Sequence, residues 1–175
     1  MDRNTLKYIA LLSAGACMSS ANADVTPSID VKEKFTDNVY YQNHNEQDSW
    51  ITTVTPGVTV KMNQGANKYE LGASTEAGYY SVDSRNDYTD WLAYGKAGLE
   101  FDSKNHFDVR AGWTHGHDDI GTGRTEGDLR TLPFAMPSHP DEYDKTDLDV
   151  KYTFGAKDSR GKLVLRDIYS EQNYT

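Results

Sequence analysis

The chain has 175 residues, a formal net charge of −9 and a sequence pI near 4.9. Phosphate binding needs basic patches, so this balance argues against a nucleic-acid partner. The length suits one domain, and a mean hydropathy of −0.76 with no long apolar run past the N-terminus argues against membrane-spanning helices. Barrel strands escape that test, because alternating side chains leave only a weak hydropathy signal.

Residues 1–23, MDRNTLKYIALLSAGACMSSANA, carry a basic start (Arg3, Lys7), a short apolar stretch and a small-residue ANA ending. This is the pattern of a secretory signal peptide cleaved after Ala23, leaving a mature chain of 24–175. A competing reading takes SAGAC as a lipoprotein cleavage site, with Ala14 where a leucine is usual. Cys17 is the single cysteine and lies in this leader, so the first reading leaves a mature chain without disulfides.

From there the apolar residues alternate with polar ones. SIDVKEKF places Ile29, Val31 and Phe35 together. TVTPGVTVKM sets Val54, Pro56, Val58, Val60 and Met62 opposite Thr53, Thr55, Thr59 and Lys61. KYELGASTEAGYY sets Tyr69, Leu71, Ala73 and Tyr79 opposite Lys68, Glu70, Glu76 and Tyr80. WLAYGKAGLEF sets Trp91, Ala93, Leu99 and Phe101 opposite Tyr94, Lys96 and Glu100. HFDVRAGWT sets Phe107, Val109 and Trp113 opposite His106, Asp108 and Arg110, and TDLDVKYTF sets Leu148, Val150 and Tyr152 opposite Asp149 and Lys151. KLVLRDIYS is less clean, with Leu163, Leu165 and Tyr169 opposite Val164, Arg166 and Ile168. Period two throughout predicts an all-β chain of about seven strands.

The connections decide between a soluble and a membrane barrel. NQGAN, DSKN and GAKDSRG are short and built from turn formers. They alternate with longer connections expected over Thr36 to Ser49, Ser81 to Asp90 and Thr114 to Tyr143. Outer-membrane barrels pair tight periplasmic turns with long extracellular loops in this way. The aromatics agree, since Tyr69 and Tyr79 bracket one strand as Trp91 and Phe101 bracket the next. That spacing spans roughly 25 Å along a tilted strand, the height of a lipid-facing band between aromatic girdles. The expected fold is therefore an antiparallel transmembrane β-barrel.

The apolar face is expected to meet lipid, with Tyr69, Tyr79, Trp91, Phe101, Phe107 and Trp113 at the interfaces. The opposite face is expected to line a wet lumen through Lys68, Glu70, Glu76, Tyr80, Tyr94, Lys96, Glu100, Asp108, Arg110, Asp149 and Lys151. Tyr80 and Tyr94 are candidates to stack on sugar rings.

PSIDVKEKFTDNVYY, WITTVTPGVTVKM and DEYDKTDLDVKYTFGAKDSRGKLVL resemble the family named putative β-barrel porins of Gram-negative outer membranes. The resemblance implies an outer-membrane location and an association with exopolysaccharide or capsule synthesis and export. Its partners would be outer-membrane lipid, lipopolysaccharide and polysaccharide, with no cofactor and no enzymatic activity. Such barrels are longer than this chain and usually end on an aromatic residue, whereas this sequence ends SEQNYT. With seven strands counted and even numbers usual in single-chain bacterial barrels, an N-terminal portion of a barrel is expected.

Two other readings stand beside a conduit: an adhesin acting through the long 114–143 loop, and an outer-membrane hydrolase. THGHDD puts His115 and His117 on one expected face near Asp118 and Asp119, a weak metal pattern read here as the solvated start of a loop. Asp141, Glu142 and Asp144 lack the spacing of a calcium loop. GTG at 121–123 has no strand and helix around it to make a phosphate cradle.

Overall fold

In the computed structural model, which describes residues 23–122, 139–156 and 158–175, seven strands form one antiparallel sheet. They are β1 (Ala23–Thr36), β2 (Ser49–Gln64), β3 (Asn67–Tyr80), β4 (Tyr88–Glu100), β5 (Asn105–Asp118), β6 (Asp141–Phe154) and β7 (Leu163–Tyr174). A 3-10 turn, Ser84–Asn86, lies between β3 and β4. Spatial order equals chain order, so the sheet is a meander; β1 and β7 are its edges and do not pair with each other. The expected leader, residues 1–23, lies outside the described residues except for Ala23, and the middle of the longest connection, 123–138, lies outside them too.

Three elements extend into the long connections that the sequence predicts. β4 begins at Tyr88, β5 continues through Asp118, and β6 begins at Asp141. The connection expected over Thr114 to Tyr143 therefore occupies only 119–140, and THGHDD is mostly strand rather than loop. Polar residues on both faces hide this extension, because a ladder is made by backbone groups and tolerates any side chain that finds a partner. Here His115 stands opposite Asp144 and His117 opposite Glu142.

Register carries the alternation from strand to strand. One row runs Asp24, Lys61, Glu70, Lys96, Arg110, Asp149 across β1 to β6. The next runs Met62, Tyr69, Ala97, Val109, Val150 across β2 to β6. Adjacent rows point to opposite sides, so one face is apolar and the other polar. The apolar face is bare: Ile29 is 71% exposed, Leu71 62% and Phe101 68%. In water such a contiguous surface demands a cover. The aromatic ends of β3 and β4 are offset, with Trp91 opposite Thr75 and Phe101 just beyond the end of β4. Tilted strands produce an offset of this kind.

Pro56 interrupts the β2–β3 ladder, whose paired residues skip from Val54 to Gly57. Proline has no N–H to give. Across the gap the Thr55 hydroxyl donates to Glu76 at 3.2 Å.

The polar face is tiled by tyrosines lying over glycines. Tyr94 is paired with Gly72, Tyr88 with Gly78 and Tyr143 with Gly116. A Cβ at Gly72 would sit 2.4 Å from the Tyr94 ring, and one at Gly78 only 2.1 Å from the Tyr88 ring. Each ring thus covers backbone that glycine leaves bare. The hydroxyls of Tyr94 and Tyr88 then reach Glu70 and Glu76, each at 2.8 Å.

Replacing Gly78 by alanine should drive Tyr88 off its seat and lower stability by about 1–3 kcal/mol. Urea titration of the refolded protein measures this. In a Tyr88→Ala background the same substitution should cost little; an equal loss in both backgrounds would show that the ring contact is not the cause.

Candidate functional site

The register puts all eleven residues expected on the wet side on one face of the sheet, and it brings several of them together. Lys96 Nζ lies 2.9 Å from Glu70, which also accepts from Tyr94. Lys151 Nζ lies 2.9 Å from Asp108. Arg166, which the sequence groups with Val164 and Ile168 without assigning that side to the wet face, donates to both oxygens of Asp149 at 2.8 and 2.6 Å. Arg110 stands between Lys96 and Asp149. Glu100 contacts the His106 ring, and Glu76 serves Tyr88 and Thr55. Lys68 is exposed opposite Gly98. Solvent-exposed pairs of this kind contribute only about 0–1 kcal/mol each, so their main effect is to hold side chains in place and shape the local field.

Tyr69, Tyr79, Trp91, Phe107 and Trp113 lie at the opposite parity, on the apolar face. Phe35 and Trp50 join them there, with ring centroids 5.2 Å apart.

Tyr80 and Tyr94 are not open stacking platforms. Tyr94 lies on Gly72, and Lys96 Nζ sits 4.8 Å from its ring centroid. Tyr80 is covered by residues from two loops. Val39, Tyr40 and Ile120 are buried and pack against it. Isolated apolar residues in polar loops carry no period, which is why sequence reasoning missed this small core.

The loops are tied together by polar contacts at the same end of the polar face. Asn86, 4% exposed, donates to the Tyr40 hydroxyl at 3.0 Å, and the Tyr80 amide donates to Asp87 at 2.8 Å. Asp119 accepts from Tyr80 at 3.0 Å and from Tyr41 at 3.1 Å. Gly121 has φ +95° and touches the Tyr40 carbonyl, where any Cβ would be 2.3 Å away. Only glycine fits that conformation and that contact.

The two histidines do not share a site. His115 stacks on Trp113 and has Nδ1 3.0 Å from Asp144. His117 breaks the alternation: it stacks on the polar-face Tyr88 at 3.7 Å. Its Nδ1 lies 2.9 Å from Asp90 and its Nε2 3.5 Å from Asp119. The β4–β5 pairing ends at Trp91 and His115, which frees the last residues of β5 to turn. Among the described residues, no three of His, Cys, Asp and Glu gather to hold a metal ion.

A family model described as Putative beta-barrel porin 2 matches residues 24–137. No curated protein and no solved structure matches the chain.

The loop between β3 and β4 contains a clasp with a defined pH dependence. The Arg85 side chain and backbone N–H bond to Asp83 and hold its carboxyl down to about 2. A depressed carboxyl stabilises the fold above its ordinary range and stops doing so as the pH falls through the depressed value. Asp119 moves in the same direction, through its hydrogen bond from His117 first. The Arg85 Nε–H resonance, followed downward from neutral pH, should stay fixed through the ordinary carboxylate range and shift only near the depressed value. At neutral pH, Asp83→Asn should speed tryptic cleavage after Arg85 severalfold; unchanged cleavage would show that the clasp does not order the loop.

Proposed function

The chain belongs to the Putative beta-barrel porin 2 family, and from that premise we propose that it is an outer-membrane wall segment serving as a conduit in exopolysaccharide or capsule export. Porin-like, non-enzymatic passage is the coarse function that the family carries. The observation that supports the finer reading is the segregation of the sheet: an uncovered apolar face on one side, and tyrosines and matched ions on the other. The strands are 12 to 16 residues long, more than the ~9–11 that cross a bilayer.

In this reading the apolar face meets acyl chains and lipopolysaccharide, and residues 1–23 are a leader removed on export. Cross-strand bonding satisfies the interior backbone of the sheet, as hydrocarbon requires. The polar face lines the path. Its hydroxyls, carboxylates and ammonium groups replace part of a sugar chain's hydration as it passes, so movement is passive and needs no covalent step. The loop core on Tyr80 stands at the long-loop end, the extracellular end of such barrels, and narrows the entrance there.

Purified protein added to planar bilayers should give discrete conductance steps, and deletion of its gene should lower surface polysaccharide. A folded, inserted protein that passes no current would overturn the conduit.

The orientation of the faces has its own test. Leu71→Arg places a charge on the apolar face and should cost about 2–4 kcal/mol in refolding into vesicles. Thr55→Arg places it on the other face near Asp30 and Glu76, and should cost less than about 1 kcal/mol. The reverse ranking would turn the sheet inside out.

A further inference from the structure

Toward the short-turn end of the polar face lies a depression of about 330 Å³, whose charged lining is Lys96, Asp108, Arg110, Asp149, Lys151 and Arg166. All but one of these charges sit in a close ion pair, and Arg110 acts on Asp149 and Asp147 only at longer range. Lys96 is held by Glu70, Lys151 by Asp108, and Arg166 by both oxygens of Asp149. Arg110 has no carboxylate within ion-pair distance among the described residues, although Asp149 stands directly opposite it. Arg166 has taken that carboxylate. Asp147, the next polar-face residue along β6, is engaged by the Ser170 hydroxyl at 2.7 Å and by Lys145 at 3.4 Å. On its other side Arg110 stands opposite Lys96, a like charge, which raises the cost of leaving it unmatched.

A guanidinium presents five N–H donors in a planar fork that fits an oxyanion. Counting Glu70 with the lining, four cations face three carboxylates, an excess of one positive charge. We propose that Arg110 is the centre of an anion subsite that takes one monovalent oxyanion, a carboxylate or sulfate ester carried on a sugar. This rests on the polar face being the wall of a solute path. The volume is at the small end of the ~300–1,000 Å³ typical of ligand clefts, so it accommodates a single acidic unit rather than a long segment. The solute would be an acidic saccharide held briefly at Arg110 while its neutral parts pass the tyrosines.

The test is a titration of the detergent-solubilised protein with D-glucuronate, glucose 6-sulfate and glucose, following the binding heat in every variant and, where Arg110 is present, its Nε–H resonance. One or both anions should shift it, the stronger naming the oxyanion, and glucose should not. Arg110→Gln should weaken anion binding about tenfold, the loss expected for a charge-assisted fork. Asp149→Asn frees Arg166 and should tighten binding severalfold, a gain that misfolding cannot imitate. Equal response to glucose, or unchanged binding in both variants, would overturn the subsite. Bilayer conductance separates this from the parent reading. A conducting protein that ignores both anions loses only the subsite, and a folded protein that binds them without conducting loses only the conduit.

Discussion

Inside hydrocarbon a backbone amide has no water to bond, so an extended chain can cross only if every N–H and C=O finds a neighbouring strand. That constraint explains most of what this sequence does. Pairing fixes register, register fixes which side chains share a face, and the face in lipid must then be apolar along its length. The ladder from β1 to β7 is continuous apart from Pro56, and the apolar rows are unbroken across the central strands. A soluble sandwich would hide that face against a second sheet; here a single layer leaves it open.

The same constraint frees the polar face to be wet and heterogeneous. Its charges are distributed unevenly along the strands. Toward the short turns stand Lys61, Lys68, Lys96, Arg110, Lys151 and Arg166, answered by Asp24, Glu70, Glu100, Asp108 and Asp149. Toward the long loops stand Glu76, Asp90, Asp119 and Asp141, with Asp83 and Asp87 in the loop beside them, against Lys32, Lys34 and Lys145 on the strands and Arg85 in the loop. In a chain of net −9 the basic waist is a local reversal rather than a reflection of composition. The polar face therefore carries a charge gradient along the strands, from acidic at the loops to basic at the waist, a field that no single residue creates.

What could be read from the sequence follows from period two. The number of strands, their order, the short turns and the split of faces all come from alternation, and Glu70, Lys96, Arg110 and Asp149 fall on one face for that reason. What could not be read is non-local. Nothing near Gly78 announces that Tyr88 will lie on it, because the contact exists only once β3 and β4 are in register. The outer ends of β5 and β6 looked like loop because His115, His117, Glu142 and Asp144 put polar groups at the apolar-face positions, yet they continue the ladder and stand opposite each other across it. Val39 and Tyr40 are neighbours in one polar stretch, Ile120 lies far along the chain in another, and they form a core only when two loops fold onto Tyr80.

Strand parity sets the terms on which this sheet becomes a closed wall. Seven strands alternating in direction leave β1 and β7 running the same way. An all-antiparallel barrel contains an even number of strands, so these seven complete one only with an odd number from elsewhere; otherwise β1 and β7 must meet in a parallel seam. Side chains distinguish the routes. Across such a seam the apolar-face Val25, Ile29 and Val31 would run beside Leu163, Leu165 and Tyr169, a greasy match that continues the lipid surface. The polar face of β7 fits less well, since Val164 and Ile168 flank Arg166 there. Val164 is 52% exposed and Ile168 62%, whereas β1 offers Asp24, Ser28, Asp30 and Lys32 on that side. The two edges therefore match on their apolar sides and differ on their polar ones, so the seam would join like to like only on the lipid-facing surface.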